Sequence, residues 1–178
     1  RESKIENPSM RRTVVIFLTL LVLTGIIAQA NHYLTTRHIY LFVGGLFVTF
    51  AALRLPFGAG FGAVALGGLL LDSTLPVRFG TLTLLFVTAY TVIFNMRDRL
   101  PREETAVRVL VALISNLALF LVLSFVLVGD APSPGSAWLR LFFDLLCSQI
   151  VIALIGPWFF ALQDRALLLA RTEPITLD

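Results

Sequence analysis

The chain has 178 residues, of which 57% are hydrophobic and only 14% are charged. A water-soluble domain is closer to half apolar and a quarter charged, so this chain has too few polar residues to cover a surface that faces water. Its mean hydropathy of +0.88 predicts an integral membrane protein. The net charge of +3 is better explained by basic cytoplasmic loops than by nucleic-acid binding. The single cysteine, Cys147, excludes a disulfide within the chain and a cysteine-based metal cluster.

The first methionine, Met10, is followed by Arg11, Arg12 and an apolar stretch. We therefore expect residues 1–9 to be a clipped leader or a cloning remnant, and residues 10–178 to form a single membrane domain. The charged-then-apolar order after Met10 is also typical of a signal peptide. Because five further apolar segments follow, we favour a retained first helix.

Six apolar segments follow one another along the chain. A helix needs about 20 apolar residues to cross the hydrocarbon core of a membrane, and the first, fourth, fifth and sixth segments meet that need. The second segment is marginal, and the third has only 15 residues. We predict an all-α integral membrane protein, a compact bundle of six transmembrane helices whose third helix is short and glycine-rich. The segments cover residues 13–30, 39–55, 57–71, 79–96, 105–128 and 138–162.

The glycines of the third segment predict close helix packing. Small residues let the backbones of neighbouring membrane helices approach each other. We expect Gly62, Gly67 and Gly68 to pack directly against other helices, so that replacing Gly67 with leucine lowers the yield of folded protein. These glycines are also candidates for contact with a partner.

The basic residues predict the orientation in the membrane, because cytoplasmic loops carry an excess of Lys and Arg. If both termini are cytoplasmic, 11 of the 14 basic residues lie inside and three lie outside. The loop of residues 96–105 is the largest polar feature; it is either a solvated loop that fixes the topology or a docking surface for a cytoplasmic partner. The inside set is Arg1, Lys4, Arg11, Arg12, Arg54, Arg97, Arg99, Arg102, Arg108, Arg165 and Arg171.

Two aspartates lie in or beside the apolar segments, where a charge is costly and indicates a function by default. Asp144 follows Arg140 by one helical turn, so we expect the two to neutralise each other as an i,i+4 pair. Contact of Asp144 with a partner helix or a polar ligand is the alternative. Asp72 ends the third segment, and we expect it to cap the following turn through the amides of Ser73 or Thr74, or to pair with Arg78.

Asn116 is an uncharged polar residue in the fifth segment. Such side chains bond across membrane helices and contribute on the order of 1 kcal/mol or less each. We expect Asn116 to hold helices together, the alternative being that it lines a small-molecule cavity.

The sequence carries no motif of a known catalytic or cofactor site. It lacks G-x-S-x-G, H-E-x-x-H and the P-loop. Asp72 and Asp144 lack the glycine-flanked setting of intramembrane aspartyl proteases, and His32 and His38 fall together in the predicted first outer loop. We expect a protein that is not an enzyme and that binds no metal or cofactor.

One stretch resembles a known family. It runs from Gly68-Leu69-Leu70-Leu71-Asp72 through a short turn to Phe79-Gly80 and a leucine-rich helix that reaches Tyr90. This pattern is similar to that of the MreD family of bacterial rod shape-determining membrane proteins, as are the chain length, the predicted six spans, and the last span with Gly156-Pro157 before a short basic tail. The turn at residues 73–78 and Thr81-Leu82 depart from the residues that are common in that family.

The resemblance implies a non-enzymatic scaffold subunit in the bacterial cytoplasmic (inner) membrane, with both termini in the cytoplasm, that supports side-wall peptidoglycan synthesis and cell shape. It implies MreC as the direct partner, and the MreB filament and RodA with its transpeptidase as further partners, besides membrane lipid. In that family, Gly80 would begin the second helix of the hairpin. Members of the family are similar in fold to the substrate-binding subunits of energy-coupling-factor transporters. A vitamin-like small-molecule binding subunit is therefore the alternative function.

Overall fold

The computed structural model describes residues 8–34, 36, 39–73, 78–100, 104–129 and 134–171. These residues form six α-helices and no strand, so the predicted all-α class is confirmed. The expectation for residues 1–9 falls largely outside the described residues. The helices are α1 (Pro8–Leu34), α2 (Gly44–Arg54), α3 (Phe57–Asp72), α4 (Thr81–Met96), α5 (Thr105–Gly129) and α6 (Pro134–Arg171), and a single 3-10 turn (Arg97–Arg99) follows α4.

Three of the six helices are long and apolar enough to cross a membrane. The segments that meet this criterion are Phe17–Leu34 of α1, Thr105–Val128 of α5 and Ala137–Ala166 of α6. The helices α2 and α3 are apolar but shorter, with 11 and 16 residues. Six transmembrane helices therefore remain a prediction, whereas the membrane-like character of three helices is established by their length and composition.

The second apolar segment is not the continuous helix that its composition predicts. Residues 39–43 are non-helical, and α2 begins only at Gly44. Ten of the 11 residues of α2 are buried, which makes it the central element of the bundle. Because a helix that is apolar on all sides belongs in the interior, the sequence of α2 fits this central place.

The other helices surround α2 as two antiparallel pairs and a peripheral helix. The pair of α3 and α4 packs along its whole length, and α5 and α6 form the second pair; α2 lies between the pairs and packs mainly against α5 and α4. The helix α1 packs mainly on α3 and α6, and most of its surface is exposed. The core contains large apolar side chains from four of the helices, including Phe47, Phe50, Phe86, Tyr90 and Phe160.

Candidate functional site

Asp72 joins the two helices of the α3–α4 hairpin. Its side chain is 4% exposed, and its carboxylate accepts hydrogen bonds from the amides of Gly80, Leu82 and Thr83 at 3.0, 2.8 and 3.1 Å, and from the Thr83 hydroxyl at 2.7 Å. The first amides of a helix have no partner within the helix, and a negative charge is favourable there. Gly80, the residue before α4, has no side chain to cap the helix, so Asp72 supplies the cap from the end of α3.

Asp72 therefore has the structural role that the sequence predicts, but with other partners. The predicted donors were the amides of Ser73 and Thr74 or the Arg78 guanidinium, whereas the observed donors belong to the start of α4. Gly80 makes this possible because its φ of +95° lies in the left-handed region, which glycine enters without strain. The chain can thus turn so that the α4 amides point at the end of α3.

The glycines of α3 fall into an inward set and an outward set. A Cβ on Gly68 would lie 2.6 Å from the Thr83 Cα, so α3 and α4 touch at this point as predicted, and Gly67 is also buried. For Gly62 the prediction is wrong, because an added Cβ would meet nothing within 4 Å. The helix is apolar on every side, so the glycine pattern alone cannot tell which glycines face a neighbour.

Side chains from α1 and α6 hold the non-helical segment of residues 39–43. The Asn31 side chain accepts from the Leu41 amide at 2.7 Å and donates to its carbonyl at 3.0 Å. The Tyr40 amide donates to the Asp144 carboxylate at 2.9 Å, and the Phe42 amide donates to the Ser148 hydroxyl at 3.0 Å. Backbone groups that lie inside a membrane without helical partners require such protein partners.

Asp144 is thus bonded to the backbone of another element rather than to the arginine one turn away. The ion pairs found among the described residues join other side chains, and Arg140 lies exposed on α6. The direct Arg140–Asp144 ion pair that the sequence predicts is thus not among the ion pairs of the described residues, although the positive charge of Arg140 acts on the Asp144 carboxylate. Sequence spacing identifies i,i+4 neighbours, but it cannot show that an irregular segment 104 residues earlier presents an amide to the same carboxylate.

Asn116 lies where α2 crosses α5, in the helix-joining role predicted for it. The side-chain oxygen accepts from the Gly45 amide at 3.1 Å, at the start of α2. A Cβ on Gly45 would lie 2.5 Å from the backbone nitrogen of Asn116, so the two helices are in backbone contact. Thr49 and Ser115 form a second, longer hydroxyl contact of 3.4 Å between the same helices.

The sequence did not predict an ion cluster at the opposite end of the bundle, in which Arg108 is buried. The Asp164 carboxylate accepts from Arg108 at 2.7 Å and from Arg54 at 3.1 Å, which ties α6 to α5 and α2. Arg108 is buried, and its guanidinium also donates to the Thr105 hydroxyl. The sequence signal for this cluster is only that Asp164 follows the last apolar segment. Its spacing does not indicate a pair with Arg108 or Arg54, which lie 56 and 110 residues away in the chain.

One face of α3 is partly open, and we call Phe57, Gly58, Phe61 and Gly62 the outer α3 face. On its inner side, the rings of Phe57 and Phe61 lie 5.9 and 6.5 Å from the Tyr90 ring of α4. Phe57 and Phe61 are 48% and 39% exposed, and their rings lie 5.8 Å apart. Added Cβ atoms on Gly58 and Gly62 would meet open space. The two glycines are four residues apart, so they lie one turn apart on the same side of the helix. The result is a shallow glycine strip beside two exposed aromatic rings.

Neither the protein-family models, nor the curated proteins, nor the solved structures include a match to this chain. The likeness to the MreD family therefore depends on the hairpin sequence and on the helix pattern.

Proposed function

We propose that this protein is a non-enzymatic membrane scaffold that binds the transmembrane anchor of a partner on its outer α3 face. The open surface at Gly58 and Gly62 carries this proposal. Membrane helices gain little from hydrophobic burial because lipid is as apolar as they are, so they associate by close van der Waals packing. Two glycines one turn apart provide the close approach, and the exposed rings of Phe57 and Phe61 provide contact area beside it.

The rest of the hairpin supports this role by making α3 rigid. Asp72 fixes the end of α3 to the start of α4, and Gly68 packs against Thr83. At the other end, the Tyr90 hydroxyl donates to the Phe57 carbonyl at 2.9 Å, so the first turn of α3 is bonded to α4 as well. A surface that does not have to become ordered on binding loses less conformational entropy when a partner packs against it.

The proposed membrane arrangement has six crossings with both termini in the cytoplasm. The second crossing combines the non-helical residues 39–43 with α2: five extended residues reach at most about 17 Å, and 11 helical residues add about 17 Å. The total matches a hydrocarbon core of about 30 Å. The three side chains that bond the backbone of residues 39–43, those of Asn31, Asp144 and Ser148, allow this non-helical half to lie at membrane depth.

Reporter fusions at Pro101 and Ser133 test this topology. We expect the two fusions to report opposite compartments, with Pro101 on the cytoplasmic side, because α5 lies between them and the basic residues favour that side. A reporter that works only in the cytoplasm and one that works only outside it should give complementary results. Both fusions in the same compartment would contradict the six-crossing arrangement.

The resemblance to the MreD family supplies the identity of the partner. We propose that the chain acts in the cell-elongation (rod) complex of the bacterial inner membrane, that its direct partner is MreC, and that it contributes to cell shape and side-wall peptidoglycan synthesis. The MreB filament and RodA with its transpeptidase are further proposed partners. We propose that the 3-10 turn at Arg97–Arg99 lies on the cytoplasmic side and contacts the filament.

The vitamin-binding alternative has less support from the geometry. In a transporter, the backbone amides at the break of a broken helix bind the substrate. Here the amides of Tyr40, Leu41, Phe42 and Gly45 are bonded to the protein's own side chains. The cavity beside this segment has a volume of only about 40 Å³, far below that of a ligand pocket.

A photo-crosslinking amino acid at Phe61 tests the proposed face in living cells. We expect a crosslink from position 61 to MreC, because the Phe61 ring borders the glycine strip. The matched control places the same group at Leu154, which is 68% exposed on α6. Equal crosslinking to MreC from both positions, or none from position 61, would contradict binding at the outer α3 face.

A further inference from the structure

A groove between α4 and α5 forms a cavity among the described residues. Its walls run from Leu85 to Met96 on α4 and from Val111 to Val122 on α5, and it has a volume of about 420 Å³. These helices are consecutive in the chain, but α4 packs mainly on α3 and α2, whereas α5 packs mainly on α2 and α6. The space between them, which we call the α4–α5 groove, is therefore left open on the outside of the bundle.

The groove has the chemistry of a site for hydrocarbon. Its lining is aliphatic apart from Thr88 and Ser115. Both hydroxyls donate within their own helices, Thr88 to the Leu84 carbonyl at 2.8 Å and Ser115 to the Val111 carbonyl at 2.7 Å. An occupant consequently needs no polar group inside the groove. If the groove were empty, the atoms of its walls would have no dispersion contacts on that side. A hydrocarbon that fills the groove is therefore favoured.

The length of the groove fits an acyl chain. The 11 steps from Leu85 to Met96 give a length of about 17 Å. The length also matches one leaflet, which is half of a hydrocarbon core of about 30 Å.

One mouth of the groove is basic. Met96 and Leu100 both line the groove, so the turn Arg97–Arg99 between them lies at its end. The Arg97 guanidinium is held 3.7 Å above the Phe94 ring and donates to the Leu55 carbonyl. Arg99 is exposed, and the exposed Asp98 lies 3.9 Å from Arg97, so the turn has a net charge of +1. Basic groups at this depth attract anionic lipid headgroups.

We propose that the α4–α5 groove binds one acyl chain of an anionic phospholipid from the adjacent leaflet, with the headgroup against Arg99. The apolar walls contact the acyl chain, and the basic turn favours a negatively charged headgroup. This site is distinct from the outer α3 face and does not depend on the proposed function. It makes the protein sensitive to the anionic lipid content of its membrane.

Native mass spectrometry of the full chain in detergent tests the proposal, with dioleoyl-phosphatidylglycerol and dioleoyl-phosphatidylethanolamine as the probes. The two lipids have the same acyl chains and differ in headgroup charge. We expect one bound lipid per chain and a preference of about fivefold for phosphatidylglycerol, which is the effect of about one basic residue near a membrane surface. Equal binding of the two lipids, or no bound lipid, would overturn the proposal.

Two variants separate the chain-binding and headgroup-binding parts of the site. Ala118 lines the groove and is exposed, so Ala118→Trp should fill the groove without disturbing the core and should remove both lipids. Arg99→Gln should abolish the roughly fivefold preference and leave phosphatidylethanolamine binding unchanged. Ala153→Trp and Arg165→Gln are the matched controls, since both residues are exposed on α6 away from the groove. Unchanged lipid binding in Ala118→Trp, or an equal loss in the controls, would overturn the assignment to this groove.

Discussion

Replacing Asp72 with alanine is expected to destabilise the protein more than any other single polar substitution in the hairpin. The change leaves the amides of Gly80, Leu82 and Thr83 and the Thr83 hydroxyl without the carboxylate that they now share. Each unpaired buried donor costs about 1–3 kcal/mol, so we expect a loss on the order of 3 kcal/mol or more. For a chain of this size, that loss lowers Tm by roughly 6–12 °C.

Thermal unfolding in detergent measures this effect, with Asp98→Ala as the matched control. The Asp98 side chain is 77% exposed, so its removal should change Tm by much less. Asp72→Asn should fall between the two, because an amide keeps one acceptor oxygen but turns an NH₂ group toward the α4 donors. An Asp72→Ala protein as stable as the wild type would show that Asp72 does not hold the hairpin.

Replacing Gly45 with alanine is expected to have the second large effect, because it separates α2 from α5. The new Cβ would lie 2.5 Å from the backbone nitrogen and from the Cβ of Asn116, and a backbone cannot move aside as a flexible side chain can. Overpacking costs about 1–3 kcal/mol, and we expect the upper end of this range. The shift would also lengthen the Gly45–Asn116 hydrogen bond.

Gly58→Ala and Gly62→Ala are the matched controls for Gly45→Ala. All three changes add one methyl group to a helical glycine, and alanine favours a helix by about 1 kcal/mol over glycine. Because the added methyl meets open space at Gly58 and Gly62, we expect Tm to stay the same or rise in both controls and to fall by about 6 °C or more in Gly45→Ala. A similar Tm for all three variants would contradict the close contact between α2 and α5.

The sequence predicted the helical class and the hairpin because both depend on local patterns. Long apolar segments bounded by charged or proline-containing loops indicate membrane helices whatever their packing. The aspartate that ends α3 and the glycine that precedes α4 mark the two sides of the turn, and the structure joins them directly. The break at residues 39–43 was not predicted, since its stability comes from side chains on α1 and α6 rather than from any signal in its own apolar sequence.

The parts of the site that escaped prediction all depend on tertiary contacts. The partner of Asp144 is an amide on another element, and the cluster of Asp164 with Arg54 and Arg108 joins residues far apart in the chain. The sequence also did not show which glycines of α3 are buried and which are open. Gly68 and Gly62 have similar apolar neighbours in sequence, and only the packing of α4 distinguishes the buried glycine from the open one.

The stoichiometry of the proposed complex with MreC shows whether the outer α3 face binds a partner. We compare the wild type, Gly62→Leu and Gly25→Leu by light scattering after co-purification with MreC; Gly25 is the control because it is also a helical glycine with nothing within 4 Å of its added Cβ. We expect a 1:1 complex for the wild type and for Gly25→Leu, and loss of the complex for Gly62→Leu at an unchanged Tm. A 1:1 complex that survives Gly62→Leu, or the absence of a complex with the wild type, would contradict binding at the outer α3 face.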